Sequence, residues 1–438
     1  MKCRFLKYLV LLIIFFNINA THTKPARPVS EALHFHQPLN TTQTLQHKSP
    51  ISHLQFLLPG ILSFIAAAIS SSGGIGGGGL FIPILTIVAR LDLKSASSYS
   101  AFMVTGGSIA NVACQLLARR GGRPLIDFEI ALLSEPCMLL GVSCGVICNL
   151  MFPEWLITIF FAGFLAFCTF KTCSSGVLFW KLESEGMRTV EEEEGCGEST
   201  KMPLLVSGEG KVGIPWMKVG TLVVIWLSFF VVYLLRGNRY GQGIINIKAC
   251  GTGYWLISSV QIPLAIIFTA WMLHGRKTST NTIATPQENL GEPKKRCYSL
   301  LFPVMVLFAG FLGGIFGIGG GMLISPLLLQ IGIEPEVTAA TCSFMVLFSS
   351  TMSAIQYLLL GMENINGPLT FAAICFVASL VGLTLVQQAI MRNGRASLIV
   401  FSVGTVMALS TVLITGYGAV DVWSDYKTGK SMGFKKPC

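Results

Sequence analysis

Charge is scarce in this chain: Asp, Glu, Lys and Arg make up 12% of its 438 residues, against the roughly 25% usual in soluble domains. So few charges cannot cover a core of this size with a water-facing surface. Apolar residues supply 52% and mean hydropathy is +0.66, so lipid must solvate much of the exterior. Signatures of catalysis and metal binding are also missing. No Ser/His/Asp or Cys/His arrangement and no HExxH motif occurs, and His274 stands alone near a helix end. The 13 cysteines contain no CxxC pair and no zinc spacing. Cys114, Cys137, Cys144, Cys148, Cys168, Cys173, Cys342 and Cys375 lie in apolar segments and read as small packing residues. Gly74 to Gly79 formally matches GxGxxG, but no soluble βαβ unit surrounds it, and no Gly-Lys-Ser/Thr follows to make a P-loop. The reading is therefore no enzyme, no cofactor and no metal.

The net charge of +10 does not point to nucleic acid, because the basic residues lie mainly in short connections and tails between apolar runs. Lys2, Arg4 and Lys7 precede an apolar run from Tyr8 to Phe16, and Ala20 offers a small residue for cleavage. Residues 1–20 thus read as a secretory signal peptide, with an uncleaved anchor as the alternative. A signal peptide implies a secretory-pathway membrane, either plasma membrane or endomembrane. Residues 21–53 are polar and histidine-bearing, and are expected outside the cytoplasm.

The expected fold class is all-α, a polytopic helical bundle of 10–12 crossings. Apolar segments fall near 54–72, 75–90, 96–118, 127–150, 155–173, 217–235, 254–274, 299–316, 319–333, 338–360, 367–390 and 397–418. They group into a first transmembrane repeat at 54–180, an intervening helix pair at 216–274 and a second repeat at 299–418. An acidic loop at 181–215 with eight glutamates and a basic loop at 275–298 separate them, and 419–438 form a C-terminal tail. Arg119, Arg120 and Arg123, the 275–298 loop, and Arg392 with Arg395 mark cytoplasmic connections. Met151 to Glu154, without positive charge, faces outward, and Arg236, Arg239 and Lys248 fall in an outer loop on this topology.

The halves are related. Ile75 to Leu85 recurs as Ile318 to Leu328 at an offset of 243, and nine of 41 ungapped positions from 75 to 115 are identical. The matches include three consecutive glycines, Pro83/Pro326, Ala96/Ala339 and Ser100/Ser343. Seven crossings separate the copies, an odd number, so the repeats are expected to be inverted. Inverted repeats with Gly/Pro-interrupted segments at matching places point to a transporter's substrate site. Glycine runs favour non-helical backbone, which the bilayer tolerates only inside protein or beside a water-filled cavity. A helix restarting after such a break offers free N–H groups and a positive dipole end to an anion.

The expected substrate residues are Gly76, Gly77, Gly78, Pro83 and Ser100, with Gly319, Gly320, Gly321, Pro326, Thr341, Ser343 and Gln356 in the second copy. Further hydroxyls follow each break, Ser95, Ser97, Ser98, Thr105 and Ser108 in one half, Thr338, Ser349, Ser350, Thr351 and Ser353 in the other. The competing explanation for these small residues is close helix packing. Glu135 lies in an apolar stretch before Pro136 and is a candidate proton relay, unless it sits near the interface or pairs with an arginine.

Gly313 to Gly321, Pro326, Gly332-Ile-Glu-Pro335, Thr338-Ala-Ala-Thr341, Phe348 to Ser353 and Arg395 to Ile399 make the sequence resemble the TauE/SafE family of sulfite exporters, in its plant-like eukaryotic branch. Gly74 to Pro83 supports the resemblance in the first half. It implies secondary transport of sulfite, sulfonates or related organosulfur anions, with a small anion and the bilayer as partners, no nucleic acid, and room for a homo-oligomer. The alternatives are a membrane receptor or assembly scaffold that moves nothing, and a carrier of a different solute.

Overall fold

The chain divides into two units, residues 1–50 and 51–438. A computed structural model describes residues 53–73, 78–117, 119–120, 123–194, 216–236, 251–282, 292–330, 333–359, 362, 365–393, 397–427 and 433, all in the second unit. The signal peptide, the polar segment up to residue 52, and Gly76 and Gly77 lie outside the described residues.

The described chain is helical apart from a two-rung ribbon pairing Arg119–Arg120 with Arg123–Pro124. The first half holds α1 (His53–Ser70), α2 (Gly78–Pro83), which runs on as a π turn over Ile84–Val88, α3 (Leu93–Leu117), α4 (Phe128–Met151) and α5 (Glu154–Glu194). Next come α6 (Trp216–Arg236), α7 (Thr252–Ser259) and α8 (Gln261–Thr282). The second half repeats the five-helix order as α9 (Glu292–Phe316), α10 (Gly321–Gln330), α11 (Pro335–Leu359), α12 (Asn366–Asn393) and α13 (Ser397–Lys427). Both polar loops are shorter than expected. α5 continues through the glutamate run to Glu194, α8 reaches Thr282, and α9 starts at Glu292.

Local chemistry sets several of these boundaries. Asp127 caps α4, its carboxylate accepting from Glu129 N at 3.0 Å and Ile130 N at 3.2 Å. The π turn closes at Arg90, whose φ is +55°, with Ala89 N bonded to Ile84 O and Leu91 N to Leu85 O. These are the back-bonds of a left-handed helix stop.

Among the described residues, seven helical stretches are long and apolar enough to cross a membrane: Phe128–Met151, Glu154–Glu185, Trp216–Arg236, Thr252–His274, Pro335–Leu359, Asn366–Leu385 and Ile399–Val420. The chain is thus a multi-pass helical membrane protein. The segments at 75–90 and 319–333, expected as crossings, behave differently. α2 has 6 residues plus 5 in its π turn, and α10 has 10. Each is about 15 Å long, half of a hydrocarbon core of about 30 Å.

Packing between the halves follows one scheme. α4 packs on α9 and α12 on α1; α3 packs on α12 and α11 on α4; α10 packs on α5 and α2 on α13. Exchanging the halves converts each pair into its counterpart. Two further cross-pairs, α3 with α11 and α5 with α13, join helices at matching places in the order. These run antiparallel. Along α5 and α13, a Cβ on Gly418 would touch Thr158, Thr169 meets Thr411 at 3.3 Å, and Glu183 binds Ser397. Between α3 and α11, Gln115 near one C-terminus bonds Ser343 near the other N-terminus at 3.4 Å.

The seam of α4 on α9 is tight over two turns of each helix. A Cβ on Gly141 or Gly145 would lie 2.2 Å from Leu307 O or 2.1 Å from Phe311 O, and one on Gly310 or Gly314 2.2 Å from Met138 O or 2.4 Å from Val142 O. Both helices carry GxxxG, and the backbones touch because no side chain intervenes.

Candidate functional site at the two chain breaks

The second break is built by three glycines. The chain leaves α9 at Phe316, takes φ +64° at Gly317, +71° at Gly319 and +61° at Gly320, and restarts as α10 at Gly321. An L side chain at any of these would be strained. At Gly317 it would also collide, since a Cβ would lie 1.9 Å from Ser97 O on α3.

Breaking a helix inside lipid orphans its last carbonyls, and here three of them find donors. Gly313 O accepts from Ile318 N at 3.0 Å, Gly314 O from the Tyr357 hydroxyl at 2.9 Å, and Ile315 O from Asn149 Nδ2 at 2.6 Å. Gly319 O accepts from Gly321 N at 2.6 Å and Ser349 Oγ at 3.0 Å. The first break is served in the same way. Asn111 Nδ2 donates to Ser71 O at 3.3 Å, Ser71 Oγ meets Ser379 Oγ at 2.7 Å, and Ser410 Oγ donates to Gly79 O. Asn111, Asn149, Tyr357, Ser379 and Ser410 were not singled out by the sequence. Their one signal there is a polar side chain inside an apolar run.

The breaks also meet each other: a Cβ on Gly78, at the start of α2, would fall 2.7 Å from Ile318 Cβ. Of the expected substrate residues, Gly78, Gly319, Gly320 and Gly321 therefore share one buried region, and Pro83 and Pro326 are buried inside the short helices that leave it. α3 passes the second break at Ser97 to Ala101, so Ser100 is a close neighbour; its Oγ is buried without a hydrogen-bond partner. Three others serve elsewhere as ties. Thr341 Oγ1 accepts from Asp127 N at 3.0 Å, Ser343 Oγ from Gln115 at 3.4 Å, and Gln356 Nε2 donates to Ser143 Oγ at 3.3 Å.

Glu135 is fully buried, and neither carboxylate oxygen has a hydrogen-bond partner. Among the described residues no arginine pairs with it. It precedes Met138 by three residues, on the same face of α4, and Met138 Sδ lies 3.3 Å from where a Cβ on Gly320 would be. A separate small cavity of about 10 Å³ has Gly73, before the start of α2, and the hydroxyl residues Thr172, Ser325 and Thr338 in its wall. That is room for about one water molecule. The second break thus has around it the start of α10, the unpartnered Ser100 hydroxyl and Met138, one turn from Glu135.

No solved structure matches this chain. Curated proteins do. The chain is 61% identical over 402 residues to "Sulfite exporter TauE/SafE family protein 2" of Arabidopsis thaliana, covering 87% of each. It is 55% identical to that plant's family protein 5 over the full length of both. A more distant relative, "Probable membrane transporter protein YunE" of Bacillus subtilis, is 32% identical over 34% of this chain and 64% of its own. These names describe transport, a non-enzymatic role. The family described as "Sulfite exporter TauE/SafE" matches residues 5–189 and 216–412, on either side of the acidic stretch and across both chain breaks, so the chain belongs to the TauE/SafE family.

Proposed function

We propose that the protein is a secondary active transporter of a small oxyanion, with sulfite and sulfonates first among substrates, working through two inverted repeats. The observation that carries this reading is the antiparallel pairing of equivalent helices, α3 with α11 and α5 with α13. A two-fold axis exchanging antiparallel partners lies across them, hence in the plane of the membrane, which is the symmetry of alternating-access carriers. The choice of sulfite leans on the names of the plant relatives. The N-terminus of α10 then supplies N–H donors to the anion, and the Ser100 hydroxyl adds another. Glu135 takes up and releases a proton as the anion moves. The cytoplasmic side lies at Arg119 to Arg123, so α4 and α6 both start there; the ion pair of Lys218 with Glu129 at 3.0 Å agrees with that direction.

Flux of radiolabelled sulfite in proteoliposomes tests the reading. Ser100→Ala and Gly320→Val should each slow it by about tenfold or more, the scale of one lost donor to a bound oxyanion. Glu135→Gln should leave a flux that no longer varies with pH. Wild-type rates in both break variants would sink the assignment of the site, and unchanged pH dependence in Glu135→Gln would remove the proton role.

A further inference from the structure

Arg236 was expected in an outer loop. It is instead the last residue of α6 and only 3% exposed. α6 packs beside α4 in the same direction, with the Lys218–Glu129 pair at the start of both helices. The Arg236 guanidinium lies over two rings, 4.5 Å from the Tyr233 centroid and 4.9 Å from that of Tyr254.

A guanidinium held over aromatic rings still needs acceptors for its N–H groups. Among the described residues, Nε is buried without a hydrogen-bond partner and no carboxylate pairs with the charge. The Tyr233 hydroxyl is also buried, with no hydrogen-bond partner at normal geometry, and faces Ser143 on α4. An uncompensated buried cation is strongly destabilising, and a cluster of unsatisfied buried donors calls for an acceptor.

We infer that Arg236 and the Tyr233 hydroxyl, framed by the Tyr254 ring, form a binding site for a small oxyanion in the α6–α8 region, outside both repeats. The guanidinium edge gives two parallel donors to two oxygens of one anion, as with carboxylate, sulfite or phosphate, and the phenol gives a third. The fit is to an anion with at least two oxygens in one plane; halide cannot use the fork. This site does not depend on the chain breaks being the transport site. The same oxygens could come from a lipid phosphate, so the source has to be separated by experiment.

Full-length protein in dodecyl maltoside, a detergent without phosphate, would be titrated with sulfite, sulfate and chloride, following ligand-induced thermal stabilisation. Wild type should be stabilised by sulfite or sulfate and not by chloride, and Arg236→Gln should weaken that response by about 10- to 100-fold, the range for losing charge-assisted hydrogen bonds. Tyr233→Phe, which keeps the stacked ring, should weaken it by about tenfold on the scale of one hydrogen bond to a charged group, and it serves if Arg236→Gln does not fold. Oxyanion responses identical to wild type in the variants that fold would overturn the site. A difference between wild type and variant that appears only when phosphatidylglycerol is added would assign the site to a lipid phosphate and overturn the soluble ligand. Because binding is read without flux, failure here leaves the transport reading standing, and loss of flux leaves this site standing.

Discussion

α4 and α6 run side by side in the same direction, yet they are made of different material. α4 is enclosed by α9, α11, α6 and α8, and its face toward α9 is stripped to glycine so that backbones touch. α6 is peripheral: Trp216, Met217, Val224 and Val231 are exposed, and a Cβ on Gly220 would meet nothing within 4 Å. A helix buried among other helices in lipid gains little from apolar bulk, because the surrounding tails are just as apolar; close van der Waals approach is what holds it. A helix facing the tails needs only apolar side chains. Glycine thus carries a different meaning on two neighbouring helices, and conspicuous polar groups stand out on either one.

The comparison breaks most sharply at glycine. Gly145→Leu should cost about 3 kcal/mol, the upper range for overpacking, because its Cβ would lie 2.1 Å from Phe311 O, whereas Gly220→Leu should fall within about 0.5 kcal/mol of wild type. Thermal unfolding in detergent measures both, and equal effects would refute the seam. Tyr357→Phe removes the hydroxyl donor to Gly314 O and should cost about 1–2 kcal/mol by leaving a buried carbonyl unsatisfied; unchanged stability would mean that the break does not need this donor. Lys218→Ala, at an exposed ion pair linking α6 to α4, should shift stability by no more than about 0.5 kcal/mol, and a loss above 2 kcal/mol would show that the peripheral helix is held by charge rather than by packing.

Much of the fold was legible because lipid writes a simple rule into sequence. All twelve apolar segments correspond to helical stretches, and the glycines at 317–320 mark where α9 stops and α10 restarts. Less legible were the lengths. A run of apolar residues such as Leu323 to Leu329 reads as a span, but a proline at 326 and a left-handed glycine entry confine it to a half-length helix. The sequence also singled out the residues bordering the breaks while missing those that make them tolerable. Asn149 lies 166 residues before the carbonyl it serves, and Tyr357 lies 43 residues after its own. Hydrogen bonding across such separations leaves no local periodicity to read. Thr341 and Gln356 were chosen for their chemistry, and packing spends them on ties between helices.

Composition and hydropathy were enough to determine an all-helical, multi-pass membrane chain, because burial of backbone in lipid constrains every residue in turn. Only the tertiary structure decided that Gly78 meets Ile318, that α5 and α13 run in opposite directions, and that Arg236 lies inside the protein against two tyrosines. Those are facts about which distant segments share a neighbourhood, and they follow from packing complementarity between whole helices rather than from the preferences of any one of them.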